Sequence, residues 1–276
     1  MNPHAQHPSS PGALWRSCWN NRHLIAQLTK REVVGRYRGS VFGLAWSFFY
    51  PVLMLVVYTF VFSEIFKARW GANADASRFQ FALVLFVGMI VLGIFSDVLT
   101  KSSSLILSNT NYVKKVVFPV EILPVVTTAG ALFHGLVSLL VLIIALVLAN
   151  GALPLTILAL PLALAPLVLL ALGAGWIVSS LGVFLRDVGQ VMSIFTTVLL
   201  FLSPVFYPIT AVPEDFRSLI ALNPLTFVIE QARAVLIWGR WPDWMELGVS
   251  VSASAAFAWL GYYFFQKTRK GFADVL

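Results

Sequence analysis

The chain consists of long apolar runs separated by short polar segments. The runs without any Asp, Glu, Lys or Arg are residues 41–63, 79–96, 122–185, 188–213 and 247–266. A helix needs about 20 apolar residues to cross a bilayer, so each run has about that length or more. The third run has 64 residues and must fold back on itself, with "NGALP" at 150–154 as the turn. The pattern predicts six spans, at about 41–63, 79–98, 122–149, 156–184, 188–206 and 246–266.

Composition supports a membrane protein built from helices. Of the 276 residues, 59% are hydrophobic and only 11% are charged, too few to cover the surface of a soluble domain of this size. The predicted fold class is all-α, with residues 41–276 forming a polytopic six-helix transmembrane domain. Residues 1–13 are rich in Pro and Ser and are predicted to be disordered. The lone Cys18 cannot form an internal disulfide, and no Cys and His spacing suggests a metal site.

Basic residues are distributed unequally between the two sides of the predicted domain. Thirteen of the 19 lie in the first forty residues, in the loops after the second and fourth spans, and in the tail. The other six are Lys67, Arg69, Arg78, Arg217, Arg233 and Arg240. Loops rich in Lys and Arg stay in the cytoplasm, so both termini are predicted to be cytoplasmic. The net charge of +7 thus lies beside the spans, where anionic lipids and topology account for it without nucleic acid.

An amphipathic segment, residues 14–40, precedes the first span. Apolar and polar residues recur at helical spacing between Leu14 and Leu28, which predicts a helix in the cytoplasmic interface. The arginines that follow, where the chain enters the bilayer, are Arg31, Arg36 and Arg38. Two interpretations are open. These arginines either hold the N-terminus inside, or their guanidinium groups bind phosphate oxygens bidentately.

The segment 101–121 is the largest predicted cytoplasmic insertion between spans. It has room for one short helix that docks on a partner, and the candidate contact residues are Asn111, Tyr112, Lys114 and Lys115. An ordinary polar connector with lysine anchors is the alternative. "FLRDVGQ" at 184–190 is a second candidate contact, although Arg186 and Asp187 alternatively form only a solvated pair.

Ionisable residues are scarce inside the predicted spans. Only His134 lies in the middle of one, and a hydrogen bond to a neighbouring helix explains it more simply than chemistry does. Asp97 and Glu121 fall at span ends, which argues against a proton- or ion-coupled carrier. The sequence has neither a catalytic Ser, His and Asp arrangement nor a GxxxxGK[ST] nucleotide loop. It therefore predicts that the chain is not an enzyme and holds no cofactor, and that any ATP chemistry must come from another polypeptide.

The stretch "SPVFYPITAVP" at 203–213 ends the fifth span with three prolines. Two half-length helices are predicted after it, the second beginning with Asn223 as cap and Pro224 in the first turn. Broken backbone at membrane depth is tolerated only where protein or water satisfies it. The pattern predicts two re-entrant helices that gate a pore within 207–245, or alternatively an external hairpin on the membrane surface. The residues assigned to the gate are Pro204, Pro208, Asn223, Pro224, Glu230 and Arg233.

From about Leu24 to the tail, the chain resembles the membrane subunit of type 2 ABC exporters of lipid-linked polysaccharide, such as O-antigen permeases. The motifs that carry the resemblance are "LTKREVVGRYRGSVFGLAWSFFYPVLMLVVYTFVFSEIFK", "LILSNTNYVKKVVFPVEILP", "LGVFLRDVGQ", "LLFLSPVFYPITAVP" and "NPLTFVIEQARAVL". The resemblance implies a channel-forming permease subunit that forms a homodimer in the bacterial inner membrane. It further implies that two partner subunits bind ATP and Mg, and that the complex moves undecaprenyl-diphosphate-linked glycan to the periplasm. It also implies a cytoplasmic gate in 14–40, a coupling helix in 101–121 and a periplasmic gate in 207–245.

Substrate handling is divided between charge and aromatic surface in this hypothesis. The diphosphate stays near Arg31, Arg36 and Arg38, because moving it unpaired across hydrocarbon would be prohibitive. A sliding glycan needs aromatic stacking faces, and those assigned are Trp46, Phe49, Tyr50, Phe195, Phe201, Phe206 and Tyr207. Exporters of capsule, teichoic acid, drugs or peptides share the architecture. A polyprenyl-phosphate enzyme is a further alternative, but it would need a carboxylate or histidine cluster.

The charge distribution yields a test of topology. A cysteine introduced by Asp215→Cys should react with a membrane-impermeant reagent from the periplasm, because 207–245 is predicted to lie outside. Labelling that occurs only after the inner membrane is broken would contradict the predicted orientation.

Overall fold

The computed structural model describes residues 9–66, 70, 78–114 and 118–275. These residues form helices and turns without any β-strand, which confirms the all-α class. The helices are α1 (Pro11–Asn20), α2 (Arg22–Gly35), α3 (Trp46–Tyr58), α4 (Arg78–Ser102), α5 (Thr110–Lys114), α6 (Leu123–Asn150), α7 (Leu160–Ala163), α8 (Ala165–Phe184), α9 (Val188–Leu202), α10 (Glu214–Leu222), α11 (Pro224–Leu236), α12 (Trp244–Thr268) and α13 (Phe272–Val275).

Five helical stretches among the described residues are long and apolar enough to cross a membrane. They are Gly43–Phe62, Phe79–Ser102, Val120–Asn150, Leu155–Phe184 and Trp244–Gly271. Helices α10 and α11 meet at 93° and provide a sixth if the bent pair counts as one span. Helix α9 has only 15 residues, about 22 Å at 1.5 Å per residue, so it is shorter than the hydrocarbon core.

Helix ends follow local chemistry. Helix α6 ends before Gly151, whose left-handed φ of 74° closes the predicted "NGALP" turn. Helix α9 ends at Leu202, four residues before the predicted boundary of its span, because Pro204 pushes Ser203 into an extended conformation (φ −96°, ψ 145°). Helix α4 instead continues past residue 98 to Ser102.

The N-terminal segment differs from the prediction of one amphipathic helix. It forms α1 and α2, which meet at Asn21, because the Asn21 amide donates to the Ser17 carbonyl at 2.8 Å and competes with helical bonding. Helix α1 begins at Pro11, inside the segment predicted to be disordered, since the Ser10 hydroxyl accepts a hydrogen bond from the Ala13 N–H. Residues 1–8 lie outside the described residues.

Helix α4 is the centre of the bundle. It is mostly buried by the rest of the chain and packs against α3, α6, α8 and α11, whereas the first span is mostly exposed. At the periphery α12 packs closely against α8. The contact is backbone against backbone, with Gly261 of α12 facing Gly173 of α8. A Cβ atom on Gly261 would overlap the Gly173 carbonyl group and lie 2.9 Å from its Cα.

This contact predicts that Gly261→Ala lowers the free energy of unfolding by about 1–3 kcal/mol, because neither backbone can move aside without opening the helix pair. Thermal unfolding in detergent measures the effect. Gly248→Ala on the same helix is the matched control. A Cβ there meets nothing within 4 Å, so stability should stay unchanged or rise by up to about 1 kcal/mol. Equal melting temperatures for the two variants would contradict the packing argument.

Candidate substrate groove and helix break

A groove of about 610 Å³ opens between α3, α4 and α6. Arg36 and Asp97 line it together with His134. Trp46 and Tyr50 also line it from α3; they are four residues apart and so lie on one face of the helix. The groove therefore joins charged groups to an aromatic wall.

Arg36 and Asp97 of the groove belong to an ionic cluster that extends to Lys101 and Glu32 in a neighbouring cavity. The Lys101 ammonium lies 2.8 Å from an Asp97 carboxylate oxygen and 3.1 Å from a Glu32 oxygen, and the Arg36 guanidinium lies 3.5 Å from Asp97. Burial raises the pKa of Glu32, and the nearby Lys101 opposes that shift. Asp97 lies at the end of a predicted span, and no sequence pattern marks Glu32 as a member of this cluster. The only local signal was the spacing of four between Asp97 and Lys101, which allows an ion pair within one helix.

His134 faces the groove from the middle of α6. The Tyr37 hydroxyl lies 3.4 Å from His134 Nδ1, and the two rings meet edge to face at 5.7 Å. Tyr37 belongs to the turn after α2. The simpler interpretation of His134 was a hydrogen bond to a neighbouring helix, and the structure instead gives it a partner in the turn after α2.

The three predicted phosphate-binding arginines occupy different surroundings. Arg36 lines the groove and also a second cavity of about 540 Å³ beside α2. Arg31 lines only the second cavity, where Lys101 joins it, and its guanidinium lies 5.9 Å from the centre of the Tyr112 ring. Arg38 is exposed in the turn after α2 and lines neither cavity. The structure therefore brings Arg31 and Arg36 together and leaves Arg38 apart.

The seven predicted glycan-path aromatics divide into two sets. Trp46 and Tyr50 line the groove, and the exposed Phe49 packs edge-on against Trp46 at 6.5 Å. The second set lies on α9 and the segment after it and consists of Phe195, Phe201, Phe206 and Tyr207. Within this set, the Phe201 and Phe206 rings lie 6.2 Å apart, and the Tyr207 hydroxyl donates to the Phe201 carbonyl at 2.8 Å. One continuous path through both sets stays a prediction.

The predicted coupling segment contains a short helix, α5. Asn111 and Tyr112 lie on it, and Lys114 is its last residue. The Tyr112 ring stacks on Phe118 at 4.3 Å with 10° between the ring planes. Lys115 lies outside the described residues.

The helix break after α9 is tied to the start of α11. Asn223 caps α11 as predicted, with its side-chain oxygen accepting from the Leu225 N–H at 3.0 Å and Pro224 in the first turn. Its amide group donates to the Ser203 hydroxyl at 2.9 Å. Pro204 is buried beside Ser203, and Pro208 is half-buried further along. One asparagine thus caps the new helix and also binds the side chain of the residue that follows the previous helix.

Arg233 of α11 is fully buried, although the sequence analysis counts it among the basic residues outside the spans. Its guanidinium donates to the carbonyls of Val84 at 3.1 Å and Val205 at 3.0 Å, and to the Glu230 carboxylate at 2.7 Å. It also lies 4.4 Å from the centre of the Trp70 ring. Arg233 therefore connects α11, α4 and the break in a single set of contacts.

Gly88 of α4 makes room for this arrangement. A Cβ atom there would lie 3.1 Å from an Arg233 terminal nitrogen and 3.3 Å from the Val205 Cα. Both distances are tighter than ordinary van der Waals contact, so the close approach of the break to α4 depends on a residue without a side chain.

Apolar spans, a charged and aromatic groove and a supported helix break are the features of a membrane transport subunit. The model of the ABC-2 type transporter family matches residues 23–237. This match covers more than half of the chain, which therefore belongs to the ABC-2 type transporter family.

Similar proteins cover almost the same length. The chain is 28% identical to the O-antigen export system permease protein RfbA of Myxococcus xanthus, over 95% of this chain and 98% of that protein. It is 25% identical to an RfbA of Klebsiella pneumoniae, over 92% and 95% of the two chains. The polysialic acid transport protein KpsM of Escherichia coli is 24% identical, over 84% and 87%.

The buried arginine yields a prediction about stability. Arg233→Met should lower the free energy of unfolding by about 3–5 kcal/mol, because it leaves the buried Val205 carbonyl and the Glu230 carboxylate without this donor. Arg233→Lys should restore only part of the loss, since one ammonium cannot reproduce the planar fork. Thermal unfolding in detergent measures both. The control is Arg217→Met, which removes the same charge from a partly exposed site; a comparable loss there would contradict the role assigned to Arg233.

Proposed function

We propose that the chain is the membrane subunit of an ATP-driven exporter that moves undecaprenyl-diphosphate-linked polysaccharide of O-antigen type from the cytoplasm to the periplasm. Membership of the ABC-2 type transporter family supports a transport role. The similarity to O-antigen export permeases along nearly the whole chain supports the substrate class.

The observation that carries the proposal is the groove that holds Arg36 beside Trp46 and Tyr50. A lipid-linked glycan has two parts with different needs, a concentrated diphosphate charge and a long, weakly binding sugar chain. Guanidinium groups bind phosphate oxygens through charge-assisted hydrogen bonds. Aromatic rings offer broad apolar faces to sugars. One cavity therefore contains both kinds of surface.

The ionic cluster suggests how the diphosphate is received. In the structure Arg36 and Lys101 are occupied by the carboxylates of Asp97 and Glu32. Phosphate oxygens bind the N–H donors of Arg36 and Lys101 that these ion pairs leave free, so the carboxylates keep their partners when the substrate arrives. The chain acts here by pairing and orienting charge, while ATP and Mg are bound by the partner subunit.

The proposed assembly is a homodimer with two ATP-binding subunits, with both termini in the cytoplasm. The exposed apolar faces of the first span and of α9 support contact with a second copy or with lipid. The tail and the α1, α2 and α5 segments meet at one end of the bundle. That end carries the predicted excess of basic residues, which supports its cytoplasmic position.

A capsule polysaccharide is a second candidate substrate. The similarity to KpsM, which is named for polysialic acid transport, favours it. The two candidates share the same membrane architecture and differ in the glycan that stimulates the complex.

Stimulated ATP hydrolysis tests the proposal in liposomes containing the chain and its ATP-binding partner. Undecaprenyl-diphosphate-linked O-antigen should stimulate hydrolysis, and free glycan should not. Arg36→Ala should raise the lipid-linked glycan concentration for half-maximal stimulation about tenfold, the loss of one charge-assisted contact. Alanine at Trp46 and Tyr50 should slow export of long chains.

Two matched variants serve as controls. Arg22→Ala removes the same charge from the other end of α2, and Phe60→Ala removes an exposed ring of the first span that does not line the groove. Both should behave as wild type. Equal stimulation by free and lipid-linked glycan would refute the assigned substrate, and stimulation by lipid-linked capsule glycan alone would select the second candidate.

A further inference from the structure

Glu121 is a buried carboxylate that the groove and the helix break do not use. It lies in the short turn Val120–Ile122 that leads from the segment 101–121 into α6, and its side chain is only 11% exposed. One carboxylate oxygen accepts from the Arg269 guanidinium at 2.6 Å, and the other accepts from the Ser17 hydroxyl at 2.8 Å. The main-chain carbonyl of Glu121 accepts from the Trp176 indole at 3.0 Å.

The partners of Glu121 come from three parts of the chain that are distant in sequence. Ser17 lies on α1, Arg269 follows α12, and Trp176 lies on α8. Arg269 also donates to the Phe118 carbonyl at 3.3 Å. Phe118 in turn stacks on Tyr112 of α5. The C-terminal tail and α1 therefore both reach the exit of the segment that holds α5.

The tail is anchored by more than this ion pair. Phe272 of α13 is fully buried, and its ring packs against Phe184 at 5.9 Å and Phe265 at 5.5 Å. The tail is therefore a packed part of the bundle, which makes it a firm support for Arg269. Separating a buried ion pair is costly because each charge then lacks a partner, so the pair keeps its geometry.

We propose that Glu121 is a positioning residue that locks α1 and the C-terminal tail onto the exit of the α5 segment, so that a displacement of α5 moves the N-terminal helices with it. The two carboxylate oxygens have separate partners, one on α1 and one on the tail, so a single side chain joins both elements. The identity of the partner that displaces α5, an ATP-binding subunit, rests on the proposed function. The lock itself does not.

Cys18, the only cysteine of the chain, is a native reporter of the lock. It is half-buried and follows Ser17 on α1. Burial raises the pKa of its thiol, and the charge of Glu121 raises it further. Undocking of α1 should expose the thiol, so the rate of maleimide labelling of the full chain in detergent measures how often α1 is released.

Arg269→Gln is the informative variant. It removes the guanidinium that fixes the Glu121 carboxylate in place, which weakens the hydrogen bond from Ser17 of α1 to that carboxylate. The variant leaves the Glu121 charge in place, which by itself keeps the thiol protonated and slows labelling. Labelling about tenfold faster, equivalent to ~1.4 kcal/mol, therefore reports undocking and not a change of thiol pKa. Lys267→Gln, which removes an exposed charge two residues away, should label at the wild-type rate. Arg269→Lys, which keeps a cation beside Glu121, should label nearly as slowly as the wild type, and an unchanged rate in Arg269→Gln would overturn the proposal.

A second measurement tests whether the lock transmits movement. In the complex with the ATP-binding subunit, trapping the nucleotide-bound state with vanadate should change the labelling rate of Cys18, and Arg269→Gln should abolish that change. A complex that hydrolyses ATP without any change at Cys18 would overturn the transmission of movement to α1 and leave the proposed function intact. Failure of any ATP-binding subunit to associate would overturn the proposed function, while the result on the isolated chain would still decide the lock.

Discussion

Broken backbone inside an apolar bundle needs hydrogen-bond partners, and the structure depends on how Arg233 supplies them. Helix α9 ends at Leu202, and the chain then passes α4 in an irregular conformation. Arg233 donates to Val205 in that passage and to Val84 on the central helix. Because an unsatisfied carbonyl costs several kcal/mol in hydrocarbon, this one guanidinium determines where the break, α4 and α11 meet. Gly88 permits the approach by leaving the space that a side chain would fill.

The same constraint governs the charges at the other end of the bundle. Asp97, Glu32 and Glu121 are all partly or fully shielded from solvent, and each carboxylate has a basic partner. The first two face cavities and hold cations that a phosphate group can also bind. Glu121 joins helices instead and lines neither cavity. Similar ion pairs thus have two roles. Those at the cavities hold cations that a phosphate can also bind, and the pair at Glu121 holds elements of the fold together.

Part of the candidate site follows from the residues themselves. Arg36, Trp46 and Tyr50 were selected because phosphate and sugar call for those side chains, and the structure places them in one groove. Phe195 and Phe201 were selected by the same reasoning, yet they lie on a different helix that does not line it. Chemistry selects suitable residue types, but which of them share a cavity depends on how the helices pack. Glu32 was missed because its partner Lys101 is 69 residues away and nothing near it in sequence marks the pair.

By itself, the sequence determined those features of the fold that depend on interactions between residues close together in the chain. Apolar length specified five of the six predicted membrane spans, Asn223 and Pro224 specified the start of a helix, and "NGALP" specified a turn, because each signal acts within a few residues. Only the tertiary structure decided the partners of Arg233 and Glu121, which lie up to 149 residues away. A charged residue in a short segment has the same local pattern whether it is solvated in a loop or enclosed between helices. Its environment is decided by the packing of distant elements, since burial of a charge is acceptable only where the fold brings its partners to it.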